Sequence, residues 1–354
     1  MSVKFYISKD SDGVSLPYRK PYENMAVLQV AKSMWRVYRD TKDIHFAVIA
    51  NVQNPPIDLV IISTFGLGIV DFKHALAPVE GRHDTEWYYL NEYGKRTNDI
   101  MLAGTMSATR KNPYHQVQEY KDTIHRRIKA AANNGAFPGV GWLATKFRLQ
   151  GSVVFTSMRF DTSRIILDMQ SNSWFSFMWP ADIATWAQEL SFDAAGTTNK
   201  ISPVVIHQIA TTIFDVEEWT EIGGHLSTRD PFAQLSPIID GVEGIPYLVD
   251  QEEINIGRNP QNLLALPDFS GISQFHAILY RTSEGNVYLR DNSSTNGTYV
   301  NQQKIDQHGV LLHPGDILIL GKHSNGELKA GSCAFKYSTP TKNITQKTKF
   351  QSTE

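Results

Sequence analysis

Apolar residues recur along this chain at two different periods. Over 23–38 (ENMAVLQVAKSMWRVY), Met25, Leu28, Ala31, Trp35 and Tyr38 stand three or four apart, which predicts a helix. Apolar, largely β-branched stretches at 46–52, 57–63 and 67–73 predict strands, and the last two flank Thr64-Phe65-Gly66, a hairpin signature. Trp87-Tyr88-Tyr89-Leu90 is a further strand candidate. Pro113 stands where a second helix begins, running to about Ala132 before Asn133-Asn134-Gly135 ends it. Strands at 151–157 and near 163–168, and helices near 180–191 and 202–214, complete a mixed α/β or α+β domain over 1–222.

Beyond 222 the pattern changes. Residues 223–244 carry glycines and prolines with little periodicity and are expected to be a linker. Short strands then alternate with Gly and Asn turns over 245–338 (YLVD, INIGR, HAILYRT, VYLRD, TYVN, DILILG, CAFKYS), the pattern of an all-β sandwich. Residues 339–354 hold five Thr, one Ser and three Lys, which predicts a disordered tail. The fold class is therefore α+β, in two domains.

Composition narrows the picture. A length of 354 residues suits two cores, and 41% hydrophobic residues is a globular value. No apolar run reaches transmembrane length, the first residues lack an apolar signal region, and a single cysteine, Cys333, excludes an internal disulfide; a cytoplasmic protein is expected. The net charge of −2 confines any nucleic-acid contact to local patches, such as Glu92–Lys129 with eight Lys or Arg against four Asp or Glu.

Two groups of residues carry chemistry. In the C-terminal part, Gly257-Arg258 ends a strand, Ser273-Gln274-Phe275-His276 follows, and Asn292-Ser293-Ser294-Thr295-Asn296-Gly297-Thr298 comes third. A guanidinium presents fixed donors that match phosphate oxygens, and a serine hydroxyl with loop N–H groups can complete the shell. The three features in order strongly resemble the forkhead-associated (FHA) family over 245–338. The resemblance implies a phosphothreonine reader in which Arg258 and Ser273 hold phosphate, Asn296 holds the peptide backbone, and His276 braces the loop. Gln274 departs from the basic residue common in that family.

In the N-terminal part, Asp71 and Lys73 share one strand face, and whether Asp58 joins them depends on hairpin register. A turn at Phe65-Gly66 would pair Asp58 with Lys73, and one at Thr64-Phe65 would pair it with Asp71. A three-residue loop would put Asp58 on the other face unless a bulge intervened. Two converging carboxylates call for a positive partner, most simply Mg2+ or Mn2+. Lys73 could then position or deprotonate an attacking water.

This set resembles the nuclease-related (NERD) branch of the PD-(D/E)XK superfamily, whose core is restriction-endonuclease-like with a mixed sheet. The matching pieces are Glu23, Ile57-Asp58, Gly66, Asp71-Phe72-Lys73, Trp87 and Asn112-Pro113-Tyr114-His115-Gln116. The resemblance implies Glu23, Asp58 and Asp71 as metal ligands, Lys73 at the water, and Gln116 orienting water or phosphate. Asp71 stands where that family usually has glutamate.

Together these imply a metal-dependent nuclease on DNA, or alternatively RNA, recruited or activated by a phosphothreonine partner downstream of a Ser/Thr kinase, with bacterial antiphage defence expected by analogy with kinase-linked FHA proteins. The tail threonines offer a route to oligomers. A non-catalytic phospho-dependent adaptor with an inactive nuclease-like domain is the competing reading.

Overall fold

The computed structural model describes residues 2–9, 18, 21–75, 77–91, 93–101, 112–145, 147–156, 166–168, 173–193, 199–226, 229–239, 241–244, 246–259, 261–266, 269–324 and 327–340. The expected tail therefore lies outside the described residues from 341 onward, as does most of the segment between Trp87 and Asn112 beyond residue 101.

The N-terminal half opens with β1 (Val3–Ser8), α1 (Pro21–Tyr38), β2 (Phe46–Gln53), β3 (Pro56–Ser63) and β4 (Leu67–Lys73). A side sheet follows from β5 (Val79–Arg82), β6 (Tyr88–Leu90) and β7 (Arg96–Ile100). Then come α2 (Pro113–Asn133), β8 (Gln150–Phe155), β9 (Ile166–Asp168), β10 (Phe175–Met178), α3 (Ile183–Gln188), α4 (Pro203–Ile213) and β11 (Val216–Glu218). The main sheet runs β10-β8-β4-β3-β2-β1-β11. It is mixed: β2, β3 and β4 form an antiparallel meander, and β8 joins β4 in parallel after α2.

Strand periodicity assigns the two faces. Val48, Ala50, Leu59, Ile61, Val70 and Phe72 pack toward α1 and α3, whereas Ala47, Ile49, Val60, Ile62 and Ile69 pack toward α2 and α4. Asp71 and Lys73 share parity with Ile69 and so point to the α2 side. Ile57 and Val60 both pack on that side too, so the alternation breaks around Asp58, whose carboxylate is placed by its bond to the Phe72 N–H. The region expected as one helix near 180–191 is a 3-10 turn at Pro180–Asp182 leading into the short α3.

The C-terminal half is a two-sheet β-sandwich. Its strands are β12 (Ala233–Ile239), β13 (Val242–Glu243), β14 (Tyr247–Val249), β15 (Glu253–Gly257), β16 (Leu264–Ala265), β17 (Ala277–Arg281), β18 (Val287–Asp291), β19 (Thr298–Val300), β20 (Gln303–Ile305), β21 (Val310–Leu311), β22 (Ile317–Leu320), β23 (His323–Ser324), β24 (Glu327–Leu328) and β25 (Cys333–Ser338). One sheet runs β13-β12-β25-β22-β19-β20 with β14 beside β12, and the other runs β16-β15-β17-β18-β21.

The expected linker at 223–244 is not one. β12 lies inside it and pairs with β25 on one side and with β13 and β14 on the other. Ala233 and Leu235 are wholly buried, so a sequence that looked irregular because of Pro237 supplies core residues. The sandwich therefore starts near 233 rather than 245. Nor are the halves separate: Leu28, Ala31 and Met34 of α1 belong to one continuous apolar core with Leu235, Tyr247 and Val249.

Candidate functional sites

The β3–β4 hairpin turns at Thr64-Phe65, with Ser63 and Gly66 closing it through a backbone hydrogen bond of 2.8 Å. The ladder pairs Ile62 with Leu67, Ile61 with Gly68 and Leu59 with Val70, and this register sets Asp58 across from Asp71. The Asp58 Oδ2 accepts the Phe72 N–H at 2.6 Å, in place of a backbone carbonyl. Asp71, 2% exposed, pairs with Lys73 through Oδ2 and Nζ at 2.6 Å. The Lys73 ammonium also donates to Gln116 Oε1 at 3.2 Å, and Gln116 Nε2 donates to the Tyr120 hydroxyl at 2.8 Å.

Gln116 reaches this point because the start of α2 is fixed. Asn112 is fully buried; its Oδ1 caps the helix by accepting the His115 N–H at 3.0 Å. Its Nδ2 donates to the carbonyls of Arg82, His83 and Thr85, tying α2 to the loop after β5. Trp87, wholly buried, donates to the Arg82 carbonyl at 3.0 Å and braces the same loop.

The electrostatics follow from crowding. Burial, then the Asp71 charge and more weakly that of Glu23, push the Asp58 carboxyl up to about 8, against the opposing pull of Lys73 and the Phe72 N–H. Burial works against the Lys73 ammonium, but the Asp71 and Asp58 charges outweigh it and hold its pKa above the ordinary lysine range. Asp58, Asp71, Lys73 and Gln116 are thus brought together, with Glu23 near enough at the first turn of α1 to act on Asp58. Among the described residues, no three His, Cys, Asp or Glu side chains are gathered tightly enough to hold a metal ion. Sequence reasoning missed Tyr18, whose hydroxyl donates to the Asp58 carbonyl; it falls outside every periodic stretch.

The second candidate site lies at one end of the sandwich. Gly257 ends β15 where a Cβ would lie 2.4 Å from the Gln274 carbonyl oxygen, so only glycine lets the two loops meet. The Arg258 N–H donates to the Ser273 carbonyl at 2.9 Å and its Nε donates to the Ile272 carbonyl at 3.2 Å, which ties the half-buried guanidinium to the loop at 272–273. The Ser273 hydroxyl oxygen accepts the Thr295 N–H at 3.0 Å. Asn296 Nδ2 donates to the Gly271 carbonyl at 2.7 Å, so its amide bridges two loops.

His276 is fully buried between these loops. Its Nδ1 accepts the Ser273 N–H at 3.0 Å and its Nε2 lies 3.0 Å from the Gly297 carbonyl, an arrangement that requires the neutral Nε2–H tautomer. Burial lowers its pKa, consistent with a bracing role. Asp291 completes the frame, accepting from the hydroxyls of Ser294 and Thr298 at 2.5 and 2.6 Å. Arg258, Ser273 and Asn296 are all carried on loops fixed by these contacts.

Comparison with known proteins covers this second site. The FHA domain family model matches residues 254–321. Over 116 residues the chain is 31% identical to the glycogen accumulation regulator GarA of Mycobacterium tuberculosis, covering 27% of this chain and 69% of that protein. It is 34% identical over 79 residues to the oxoglutarate dehydrogenase inhibitor of Corynebacterium glutamicum, covering 22% of this chain and 52% of that protein. It is 40% identical over 68 residues to the ABC transporter ATP-binding/permease protein Rv1747 of M. tuberculosis, covering 19% of this chain and 7% of that protein. The chain thus spans about half the length of the Corynebacterium relative and a small part of the transporter. Among solved structures, the FhaA FHA domain complexed with the intracellular domain of Rv3910 is 27% identical, covering 30% of this chain and 98% of that one, at a TM-score of 0.24. No helix among the described residues is long and apolar enough to cross a membrane. With the sandwich, the loop geometry and the match in hand, the chain belongs to the FHA-domain family through its C-terminal half.

Proposed function

We propose that this chain is a metal-dependent nuclease acting on DNA and directed by a phosphothreonine-reading FHA domain. The observation that carries the nuclease half is Asp58 standing across the β3–β4 hairpin from Asp71, with Lys73 on the same face and Gln116 bound to it. The order of elements supports it: α1, a three-stranded antiparallel meander, α2, then β8 parallel to β4, as in a restriction-endonuclease-like core.

Asp58, Asp71 and Glu23 would hold Mg2+ or Mn2+. This oxygen-only donor set fits a hard divalent cation in type. Burial, then the Asp71 charge, raises Asp58, and the three side chains would have to draw together from where they stand to share one ion. When bound, that ion supplies Lewis-acid polarisation of a phosphate and a lowered pKa for a bound water. The chain's own residues do the rest. Lys73, kept charged by Asp71 and Asp58, donates to a water or to developing negative charge on the phosphate. Gln116, pinned by Tyr120, orients Lys73 through its Oε1.

For the reader half, Arg258 offers charge-assisted donors and Ser273 a hydroxyl to a phosphate, while Asn296 stands beside them for the peptide backbone. A phosphothreonine protein, made by a Ser/Thr kinase, is the partner this reading requires, and a kinase–nuclease pair in bacterial defence or stress response is the setting proposed by analogy with other FHA proteins. The full chain should nick or linearise plasmid DNA with Mn2+ or Mg2+ and not with EDTA. It should bind a phosphothreonine peptide and ignore its unphosphorylated match in calorimetry. The Lys73–Asp71 ion pair already neutralises one carboxylate, which favours the adaptor as second reading. Phosphopeptide binding without any cleavage would decide for it.

A further inference from the structure

The hairpin of β2 and β3 has a gap at Asp58. Its ladder pairs Ala50 with Leu59 and Val52 with Ile57, which leaves Asn51 opposite Asp58 as the one pair skipped. Asn51 has φ of 53°, in the left-handed region, and this turns its N–H out of the ladder. The Tyr18 hydroxyl fills the opening: it accepts the Asn51 N–H at 3.1 Å and donates to the Asp58 carbonyl. A side-chain hydroxyl thus replaces a backbone–backbone bond at the residue whose carboxylate belongs to the candidate site. The Tyr18 hydroxyl serves both backbone groups at once.

Tyr18 is itself held from two sides. Its N–H donates to Asn24 Oδ1 at 2.9 Å and its carbonyl accepts from Asn24 Nδ2 at 2.7 Å, beside Glu23 in the first turn of α1. Its ring meets Phe72 edge-on at 6.0 Å, and the Phe72 N–H is the donor that holds the Asp58 carboxylate. The hydroxyl, the ring and the backbone of one tyrosine therefore connect Asn24 at the start of α1, Asp58 and the strand that carries Asp71.

We infer that Tyr18 is a positioning residue: its hydroxyl wedges β2 from β3 at Asp58 and so sets where the Asp58 carboxylate stands relative to Asp71 and Glu23. The inference rests on the reading of Asp58 as part of a cation-binding nuclease site. No residue is inserted in either strand, since the register is the same on both sides of the skipped pair; the gap is an unpaired step in the ladder, bridged by a residue from outside the sheet. Removing the hydroxyl leaves the Asn51 N–H and the Asp58 carbonyl to find each other, which closes the gap and moves the carboxylate.

The test uses the full chain and Mn2+ alone as the probe, by calorimetry, with plasmid cleavage in parallel. Tyr18→Phe keeps the ring and should weaken Mn2+ binding about tenfold or more, as for outer residues that orient a ligand. The loss in cleavage should fall on kcat rather than on KM for DNA. Asn51→Val, which disfavours the left-handed backbone, should give the same loss with Tyr18 intact, and Asn51→Gly should bind Mn2+ as wild type does. Phe72→Leu, which removes ring packing alone, should lower thermal stability without a comparable change in Mn2+ affinity. Wild-type Mn2+ affinity in both Tyr18→Phe and Asn51→Val overturns the positioning role. A wild-type chain that binds Mn2+ and cleaves nothing overturns the nuclease reading alone, and one that binds no Mn2+ overturns both.

Discussion

Lys32 of α1 and Asp250, just after β14, form an ion pair of 2.9 Å in which the two side chains are 3% and 2% exposed. Lys32 also donates to the Leu248 carbonyl at 2.9 Å, and Arg36 reaches Asp250 at 3.3 Å and the Arg229 carbonyl at 2.7 Å. The contact joins the N-terminal helix to the sandwich through buried charge. Asp250→Ala should cost on the order of 3–5 kcal/mol, because it leaves the Lys32 ammonium buried without its carboxylate. Lys32→Met with Asp250→Leu should recover most of that loss. Chemical denaturation of the full chain measures both.

Lys73→Met should reduce metal-dependent plasmid cleavage by about 10²–10⁴-fold, the range of a lost proton-transfer or charge-stabilising group. Far-UV circular dichroism should be unchanged, since the methionine fills the same space. Cleavage at the wild-type rate would remove Lys73 from the site.

The raised Asp58 carboxyl gives a signed pH dependence. Its folded pKa of about 8 exceeds the ordinary value of 3.8, so its stabilising protonated form is complete below about 4 and is lost as pH rises toward 8. In EDTA, the melting temperature of wild type should fall across that window relative to Asp58→Asn. The two should coincide near pH 4 and separate by several degrees at pH 8.5. Mn2+ should close the gap at high pH by compensating the carboxylate.

Arg258→Ala should weaken phosphothreonine peptide binding by about 1.5–3 kcal/mol, roughly tenfold to over a hundredfold in Kd. Binding of the unphosphorylated peptide should not change. Equal affinity of wild type for both peptides would show that these loops do not read phosphate.

His276→Ala should act on both stability and recognition. It removes the bridge between the Ser273 N–H and the Gly297 carbonyl and leaves two buried groups unpaired, at about 1–3 kcal/mol each. Phosphopeptide affinity should fall along with the melting temperature, whereas Ser273→Ala should lower affinity alone.

Much of the fold was legible because its signals are local. The β4 stretch 67–73 and the α2 start at Pro113 were readable to the residue, from an apolar run in one case and a proline at the helix start in the other. The Asp58–Asp71 face depended on a turn length that sequence left open among alternatives, and packing chose Thr64-Phe65. Tyr18 and Lys32 were illegible for a common reason. Each acts on a residue far along the chain, Asp58 or Asp250, and no spacing announces such a partner. β12 was hidden by Pro237, whose missing N–H usually argues against an interior strand.

The place of β12 bears on how the reader can be excised. A fragment cut at residue 245 would keep Arg258, Ser273 and Asn296 yet strip β25 of its antiparallel neighbour along Gln234–Ile238. That strand would become an open edge with Phe335 and Tyr337 beneath it, a template for self-association rather than a soluble module. Starting the fragment before residue 229 restores the neighbour, but it still uncovers the apolar surface that α1 conceals.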